Sequence, residues 1–253
     1  MSNISWNAIC EKYKILEHDF DTQPYIINAE QIKQATRHFT KTSEREVRIL
    51  CKQDSRKDRP EIFVENNLFL LPVRNGGFAI VKGEGYVDIP EIQSSVKIYK
   101  SKLDFRLDSS LVGNSEMQHL DFAYASSLIR TFLEDDSLVL TIRGRKFTPQ
   151  FSFKVGNQEI SVKGVQTEVD AGYEGRNQIV IIEAKNSATT NTIIRQLFYP
   201  YRQWQQHTEK KVKTLFFEKR ANYFSFWQFE FQDPNDYNSI MLSNSQRYEI
   251  ESK

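Results

Sequence analysis

Residues 165–186, which read VQTEVDAGYEGRNQIVIIEAKN, carry the clearest structural signal in the chain. The run at 179–182 is apolar at every position, which predicts a strand that is buried on both faces at the centre of a sheet. A second strand is predicted over 165–170, and the glycine-rich stretch 172–177 is predicted to turn the chain between the two strands. If the two strands are neighbours, the residues that follow them meet at one edge of the sheet.

Three charged side chains end these two strands. Glu183 and Lys185 follow directly on the apolar run, and they project from the same face because side chains alternate along a strand. Asp170 ends the preceding strand. Two carboxylates within a few ångströms repel each other unless a cation lies between them, and such oxygen ligands suit Mg²⁺. We therefore predict a Mg²⁺ site formed by Asp170 and Glu183, with the carbonyl oxygen of Ala184 as a further ligand.

The ammonium group of Lys185 adds a catalytic function to this predicted metal site. A lysine beside a metal ion can position or deprotonate an attacking water, and it can stabilise the charge that develops on a phosphate. The three groups together predict metal-assisted hydrolysis of a phosphodiester. A surface ion pair at the end of a strand is the simpler interpretation. The apolar run before Glu183, the Asp that ends the preceding strand and the long helix that follows favour the metal site.

The elements on either side of this stretch predict an α/β fold. A helix is expected to begin after Ser115, with Ser115 as N-cap and Gln118 completing a capping box, and to end at the acidic residues 134–136. A second helix is predicted over 191–206, with a kink at Pro200. Further strands are predicted over 138–142, 151–155, 160–162, 212–217, 223–231 and 240–250. This order of elements predicts a mixed sheet flanked by helices.

The beginning of the chain predicts a separate α+β module. A helix is expected over 28–38 with Asn28 as N-cap, and a shorter helix over 43–52 with Ser43 as N-cap and a capping box to Glu46. The turn at 75–77, Asn-Gly-Gly, lies between two apolar runs and predicts a β-hairpin. Helices followed by a hairpin suggest a winged-helix-like module. We therefore expect a DNA-binding module over residues 1–100 and a second domain over 101–253.

Positive charge is concentrated in one part of this N-terminal module. From 37 to 59 there are eight basic residues against four acidic ones. Arg45, Arg48 and Lys52 would share one face of the helix predicted over 43–52, as contacts with DNA phosphates require. A solvated surface helix with internal ion pairs is the alternative interpretation.

Composition and charge exclude several classes of protein. The chain has 253 residues, with 34 Lys and Arg against 33 Asp and Glu. The net charge of +1 excludes both a polycation that coats DNA and an acidic disordered chain. No apolar run approaches the roughly 20 residues that span a bilayer, and the N-terminus lacks the apolar region of a secretory signal. The two cysteines and four scattered histidines predict neither a disulfide framework nor a zinc site. We expect a soluble, cytoplasmic protein without a membrane partner.

The motif formed by Asp170, Glu183 and Lys185 resembles that of the PD-(D/E)XK nuclease superfamily, and the chain is most similar to small Type II restriction endonucleases of that group. The resemblance covers roughly residues 115–217, less than half of the chain. It implies a restriction-endonuclease-like fold in which Asp170 and Glu183 bind the metal ion and Lys185 is catalytic. Val169 stands where the motif has proline.

Two further parts of the family pattern have counterparts in this chain. Many members carry an acidic residue on the helix before the sheet, which implies a catalytic role for Glu116, with Gln118 and Asp121 as alternatives. A glutamate in the first turn of a helix also complements the helix dipole without any catalytic role. Some relatives carry a Gln-x-x-(x)-Tyr element on the helix after the lysine strand, and Gln196 and Tyr199 match that element.

The helix predicted over 191–206 is expected to present polar side chains away from its apolar stripe. Gln196, Tyr199 and Gln203 lie on that side, with Arg195 nearby. There they would orient Lys185 or hold a DNA phosphate. Polar decoration of a helix surface is the alternative interpretation.

The sequence also places candidate DNA contacts outside the helices. Arg143, Arg145 and Lys154 are predicted to line a DNA cleft. The aromatic residues over 223–231 invite a base-stacking interpretation, but aromatic side chains on neighbouring strands are more often core. We therefore expect that run to be buried.

These expectations together predict a Mg²⁺-dependent, sequence-specific endonuclease that hydrolyses double-stranded DNA, a Type II restriction enzyme and thus a site-specific deoxyribonuclease. Its cognate DNA methyltransferase in a restriction–modification system would be a functional partner and not a physical one. A homodimer is expected because each strand of a palindromic site needs its own catalytic centre. Two alternatives stay open: a structure-specific repair or recombination nuclease of the same superfamily, and a catalytically inactive DNA-binding regulator.

Overall fold

The chain folds into helices and strands that follow most of its apolar runs. The structure is a computed structural model that describes residues 3–251. The helices in this range are α1 (Asn3–Lys12), α2 (Ala29–Thr36), α3 (Thr42–Arg45), α4 (Val47–Leu50), α5 (Glu61–Glu65), α6 (Glu116–Ala125), α7 (Leu128–Leu133) and α8 (Arg195–Gln205). None of the helices of residues 3–251 is long and apolar enough to cross a membrane.

The strands are more numerous than the helices and lie mostly in the second half of the chain. They are β1 (Tyr25–Asn28), β2 (Leu68–Arg74), β3 (Gly77–Lys82), β4 (Tyr86–Asp88), β5 (Lys97–Lys100), β6 (Val139–Phe147), β7 (Phe151–Val155), β8 (Gln158–Val162), β9 (Gln166–Glu174), β10 (Gln178–Lys185), β11 (Asn191–Ile193), β12 (Lys211–Arg220), β13 (Tyr223–Phe231) and β14 (Ile240–Glu251).

A seven-stranded mixed sheet forms the centre of the molecule, in the order β5-β14-β13-β12-β10-β9-β6. β10 runs parallel to β12 and antiparallel to β9. Its residues 179–182 are each at most 3% exposed, which confirms the predicted central strand that is buried on both faces. The fold is therefore mixed α/β, with a large mixed sheet and several helices, as the order of elements predicted.

The two faces of the large sheet are covered by different elements. Side chains alternate along β10, so that Ile179 and Ile181 face one core while Val180 and Ile182 face the other. The first core is closed by α8, by the β7–β8 hairpin and by β2, and we call it the α8-side core. The second core is closed by α6 and α7.

The N-terminal strands form a second sheet that is joined to the first by a shared core. β1, β3 and β2 pair antiparallel in that order, and β2 and β3 form the predicted hairpin. Along β2, Leu68 and Leu70 pack into an N-terminal cluster. The alternate residues Phe69 and Leu71 pack into the α8-side core. No break in packing therefore separates the hairpin from the large sheet.

Two helices that the sequence predicts as continuous are interrupted in the structure. The predicted helix over 43–52 is wrong: Glu46 has an extended backbone and separates the single turns α3 and α4, and α3 has no side-chain cap. Arg45, Arg48 and Lys52 therefore share no helix face, although all three are exposed. The helix predicted from Ser115 to the acidic cluster stops at Ala125 and restarts at Leu128.

Other corrections concern the ends of elements. The strand predicted over 165–170 with Asp170 at its end is too short, because β9 continues to Glu174 and pairs with β10 beyond Asp170. Gly172 therefore lies inside β9 and not in the turn, and a side chain there would clash with Ile142 of β6. The predicted helix over 191–206 begins only at Arg195, since the residues before it form β11 and pair with β4. Ser115 caps α6, but Gln118 does not close the capping box because its side chain donates to the carbonyl of Ser109, at 2.8 Å.

The aromatic run over 223–231 is core, as expected, except for Tyr223, which is 37% exposed. Phe224, Phe226, Trp227, Phe229 and Phe231 are all buried. They alternate between the two faces of β13, so that the run contributes to both cores and offers no stacking platform.

Candidate functional site

Asp170 lies at an irregular point of β9. Gly172 pairs with Ile142 and Val169 pairs with Gly144, so that β9 advances three residues while β6 advances two. A bulge of this kind bends a strand and redirects a side chain. The carboxylate of Asp170 reaches across to β10, where its Oδ2 accepts a hydrogen bond of 2.8 Å from the backbone N–H of Ala184.

Glu183 lies on β10 in a buried position, 8% exposed, on the face that carries Ile179 and Ile181. Its Oε1 accepts two hydrogen bonds, at 2.5 Å from Nζ of Lys185 and at 2.7 Å from Nε2 of Gln196. A buried carboxylate requires such donors, because an unpaired charge is costly in a poorly solvated site. One oxygen of Glu183 is therefore held by two donors from different elements.

Each of the two carboxylates keeps one oxygen available. Among residues 3–251, Oδ1 of Asp170 and Oε2 of Glu183 have no hydrogen-bond donor. Residues 3–251 contain no cluster of three or more His, Cys, Asp and Glu side chains arranged to hold a metal ion. Two carboxylate oxygens nevertheless suit Mg²⁺, which commonly binds one or two carboxylates and keeps several waters. The predicted contribution of the Ala184 carbonyl stays a prediction.

The electrostatic environment couples the three predicted residues. Burial raises the pKa of Glu183 to about 7, with Lys185 opposing this shift and the charge of Asp170 adding to it. Burial also raises the pKa of Asp170, although the hydrogen bond from the Ala184 N–H and the charge of Lys185 act to lower it. Burial acts to lower the pKa of Lys185, but the carboxylate of Glu183 outweighs it and the net shift is upward. Lys185 is therefore an ammonium ion at neutral pH.

Glu116 lies close enough to this site to influence it. Its charge raises the pKa of both Asp170 and Lys185. Within the described chain, its carboxylate has no hydrogen bond or ion pair. The alternatives are engaged elsewhere, because Asp121 pairs with Arg143 and Gln118 bonds to the loop before α6. Of the three candidates on α6, Glu116 is the one free to act at the site.

The prediction for the polar face of α8 is wrong for two residues. Tyr199 is 1% exposed, and its hydroxyl donates to the carbonyl of Pro72 at 3.0 Å. Gln203 is buried and accepts a hydrogen bond of 2.9 Å from Thr167. α8 has no free face at these positions, because the large sheet covers one side and β2 with β7 the other. Tyr199 therefore cannot contact DNA in this structure.

Most of the remaining residues predicted to contact DNA form ion pairs with carboxylates of the protein. Arg143 and Arg145 lie on β6 beside Asp170 and pair with acidic residues, Arg145 with Glu168 at 3.2 Å. Arg195 is mostly buried and lies 3.4 Å from Asp54, and Lys52 lies 3.8 Å from the same carboxylate. Lys154 is exposed on β7.

Two residues near the site have no signal in the sequence. Thr192 donates from Oγ1 to Oε1 of Gln196 at 2.6 Å. Asp54 belongs to the N-terminal region, yet its charge raises the pKa of Glu183. The positions of both residues depend on the pairing of β11 with β4 and on the hydrogen bond between Asp54 and Ile193. These contacts join parts of the chain that are distant in sequence.

The comparisons with known proteins place the chain in a family without assigning it an activity. A model described as a domain of unknown function, DUF6996, matches residues 3–80. A second model, also described as a domain of unknown function, DUF6997, matches residues 81–249. No curated protein and no solved structure matches the chain. The second match covers most of the residues, including all of the site, and the chain thus belongs to the DUF6997 family.

Proposed function

We propose that this protein is a Mg²⁺-dependent endonuclease that hydrolyses phosphodiester bonds of duplex DNA. The observation that carries the proposal is the meeting of Asp170, from the middle of β9, with Glu183 and Lys185, at the end of the neighbouring strand β10. Each carboxylate has one oxygen held by the protein and one without a donor in the described chain. The oxygen without a donor leaves each carboxylate able to bind a cation.

The chain's own groups have separable roles in this proposal. Bound by Asp170 and Glu183, Mg²⁺ supplies Lewis-acid activation of a phosphate oxygen and of water. The ammonium group of Lys185, held against Glu183, stabilises the negative charge that builds up on the phosphate. The carboxylate of Glu116 lies near enough to contribute a further negative charge.

The finer description of the fold belongs to the same proposal. A central mixed sheet with Asp170 and Glu183 on adjacent strands supports a restriction-endonuclease-like domain. In the N-terminal region, helices precede the β2–β3 hairpin and β1 joins its edge, which supports the winged-helix-like, DNA-binding module. We propose on this basis a Type II restriction enzyme that acts as a homodimer, with a DNA methyltransferase as functional partner.

The test is digestion of a sequenced plasmid in Mg²⁺, Mn²⁺ or Ca²⁺. We expect discrete fragments in Mg²⁺ and a loss of at least about a hundredfold in rate for Asp170→Asn, Glu183→Gln and Lys185→Ala. Glu174→Gln is the matched control, because Glu174 is the last residue of β9, four residues beyond Asp170, and pairs with Lys210. The control should cleave at the rate of the unmodified protein.

Other outcomes of the digest would contradict part or all of the proposal. A preference for branched or ended DNA would replace sequence specificity by the repair alternative. Binding of duplex DNA without cleavage in any of the three metals would favour an inactive regulator. Full activity of Lys185→Ala would remove Lys185 from the mechanism.

A further inference from the structure

Thr192 and Gln196 form a hydrogen-bonded chain that ends on Glu183. Thr192 is 1% exposed, and its hydroxyl donates to Oε1 of Gln196 at 2.6 Å. The amide nitrogen of Gln196 then donates to Oε1 of Glu183 at 2.7 Å. Three residues from β11, α8 and β10 are therefore connected in one direction, from hydroxyl to amide to carboxylate.

The hydroxyl of Thr192 determines which way the Gln196 amide faces. With its oxygen held by Thr192, the amide presents its NH₂ group to the carboxylate. In the flipped orientation the amide oxygen would face a carboxylate oxygen, which repels it and leaves Glu183 without one of its two donors. The donor at Oε1 matters because Lys185 and Gln196 together fix the plane of the carboxylate, and that plane determines where Oε2 points.

The N-terminal region holds Thr192, the first residue of this hydrogen-bonded series. Ile193 donates its backbone N–H to the carbonyl of Asp54 at 2.9 Å, and the N–H of Arg56 donates to the side chain of Asn191 at 2.7 Å. β11 also pairs with β4 on its other side. Thr192 lies between Asn191 and Ile193, so its position depends on both contacts.

We propose that Thr192 is a positioning residue for the cleavage reaction, acting through Gln196 on the carboxylate of Glu183. The role assigned to Glu183 rests on the proposed function. Thr192 touches neither the metal ion nor the DNA. It fixes the amide that fixes a metal-binding carboxylate, as hydrogen-bonded partners of metal ligands do in other proteins.

The test compares three variants. Thr192→Val keeps the shape of the side chain and removes the hydroxyl, Thr192→Ser keeps the hydroxyl, and Thr214→Val is the matched control. Thr214 is equally buried and also donates to a carbonyl, that of Phe229, but has no link to Glu183. Mn²⁺ binding without DNA is measured by calorimetry, and kcat and KM are measured on a cleaved plasmid.

We expect Thr192→Val to bind Mn²⁺ roughly tenfold more weakly or worse, and to lose kcat with little change in KM for DNA. Thr192→Ser and Thr214→Val should bind Mn²⁺ as the unmodified protein does. Equal Mn²⁺ affinity in Thr192→Val and the unmodified protein would overturn the proposal, and so would equal weakening in Thr192→Val and Thr192→Ser. Thr192→Ala takes the place of Thr192→Val if the latter does not fold.

A separate readout distinguishes failure of this proposal from failure of the proposed function. An unmodified protein that neither binds Mn²⁺ nor cleaves DNA overturns the nuclease assignment. In that case the side-chain amide signal of Gln196, assigned in NMR spectra by its loss in Gln196→Leu, decides whether Thr192 orients the amide. A shift of that signal in Thr192→Val but not in Thr192→Ser supports the orienting role, and an unchanged signal in both overturns it.

Discussion

At the scale of single residues, the pair of Glu183 and Lys185 is much less exposed than the ion pair of Lys82 and Asp21. The side chain of Glu183 is 9% exposed and that of Lys185 is 25% exposed. By contrast, Lys82 and Asp21 form a pair at 2.7 Å whose side chains are 46% and 78% exposed. Water screens the second pair and contributes little to solvating the first, so the two pairs should differ in their effect on stability.

Replacing Lys185 by Met should reduce the free energy of unfolding by about 2–3 kcal/mol, because it leaves a buried carboxylate with only Gln196 as donor. The estimate lies below the full cost of breaking a buried pair because Lys185 is partly exposed. Lys82→Met is the matched control and should change the free energy of unfolding by less than about 1 kcal/mol. Urea denaturation at pH 8 measures both, and similar losses would show that the Glu183–Lys185 pair behaves as a surface pair.

At the scale of elements, the ends of β6 and β10 are tied together by one carboxylate. Asp135 accepts hydrogen bonds from the backbone and hydroxyl of Ser137 and, at 2.7 Å, from the side chain of Gln178. These bonds lower the pKa of Asp135, with Ser137 the largest contributor. The same carboxylate requires glycine at position 175, since a Cβ there would clash with Oδ2 of Asp135.

Asp135→Ala should therefore reduce the free energy of unfolding by about 1 kcal/mol at pH 7. A carboxyl whose pKa is lowered by folding stabilises the protein above its unfolded pKa, and the contribution is lost as the pH falls through the folded value. The difference between Asp135→Ala and the unmodified protein should shrink between pH 4 and pH 3. Urea denaturation at pH 7, 4 and 3 measures it, with Asp136→Ala as an exposed control. A difference that grows on acidification would contradict the role of Asp135.

The elements that the sequence predicted well are those with a local signal. The apolar run at 179–182 and the turn after β2 contain in themselves the pattern that defines a buried strand or a hairpin. The break at residues 126 and 127 has no such signal, since helix-forming residues lie on both sides of it and Ser127 adopts a left-handed backbone in the folded chain. The burial of Tyr199 depends on β2, more than a hundred residues earlier, and no pattern within α8 reveals it.

The residues of the candidate site likewise divide into those with a local sequence signal and those without one. Asp170, Glu183 and Lys185 could be found because strand alternation and a turn bring them together within one short stretch. Gln196 was assigned by resemblance, but its partner proved to be Glu183 and not Lys185. Thr192 and Asp54 could not be found, because each reaches the site through pairing between segments that only the folded chain brings together.

At the scale of the whole molecule, the division of the chain by sequence families does not coincide with a break in the structure. The two family models meet between residues 80 and 81, inside β3, which pairs with both β1 and β2. The boundary predicted at residue 100 falls at the end of β5, a strand that pairs with β14 in the large sheet. The first division cuts through a strand, and the second separates β5 from β14, the strand with which it pairs.

The shared core makes a specific prediction about cooperativity. Residues 101–253 alone would lose Phe69 and Leu71 from the α8-side core, and they would lose the strands that pair with β11 and β14. We expect the full chain to unfold in a single transition, with equal calorimetric and van't Hoff enthalpies. The fragment 101–253 should show no sharp transition and little near-ultraviolet circular dichroism, because its core lacks one of its covering layers. A fragment that melts cooperatively with a native-like aromatic spectrum would show that the large sheet folds independently, and the coupling of Asp54 and Arg56 to β11 would then be a contact between two autonomous domains.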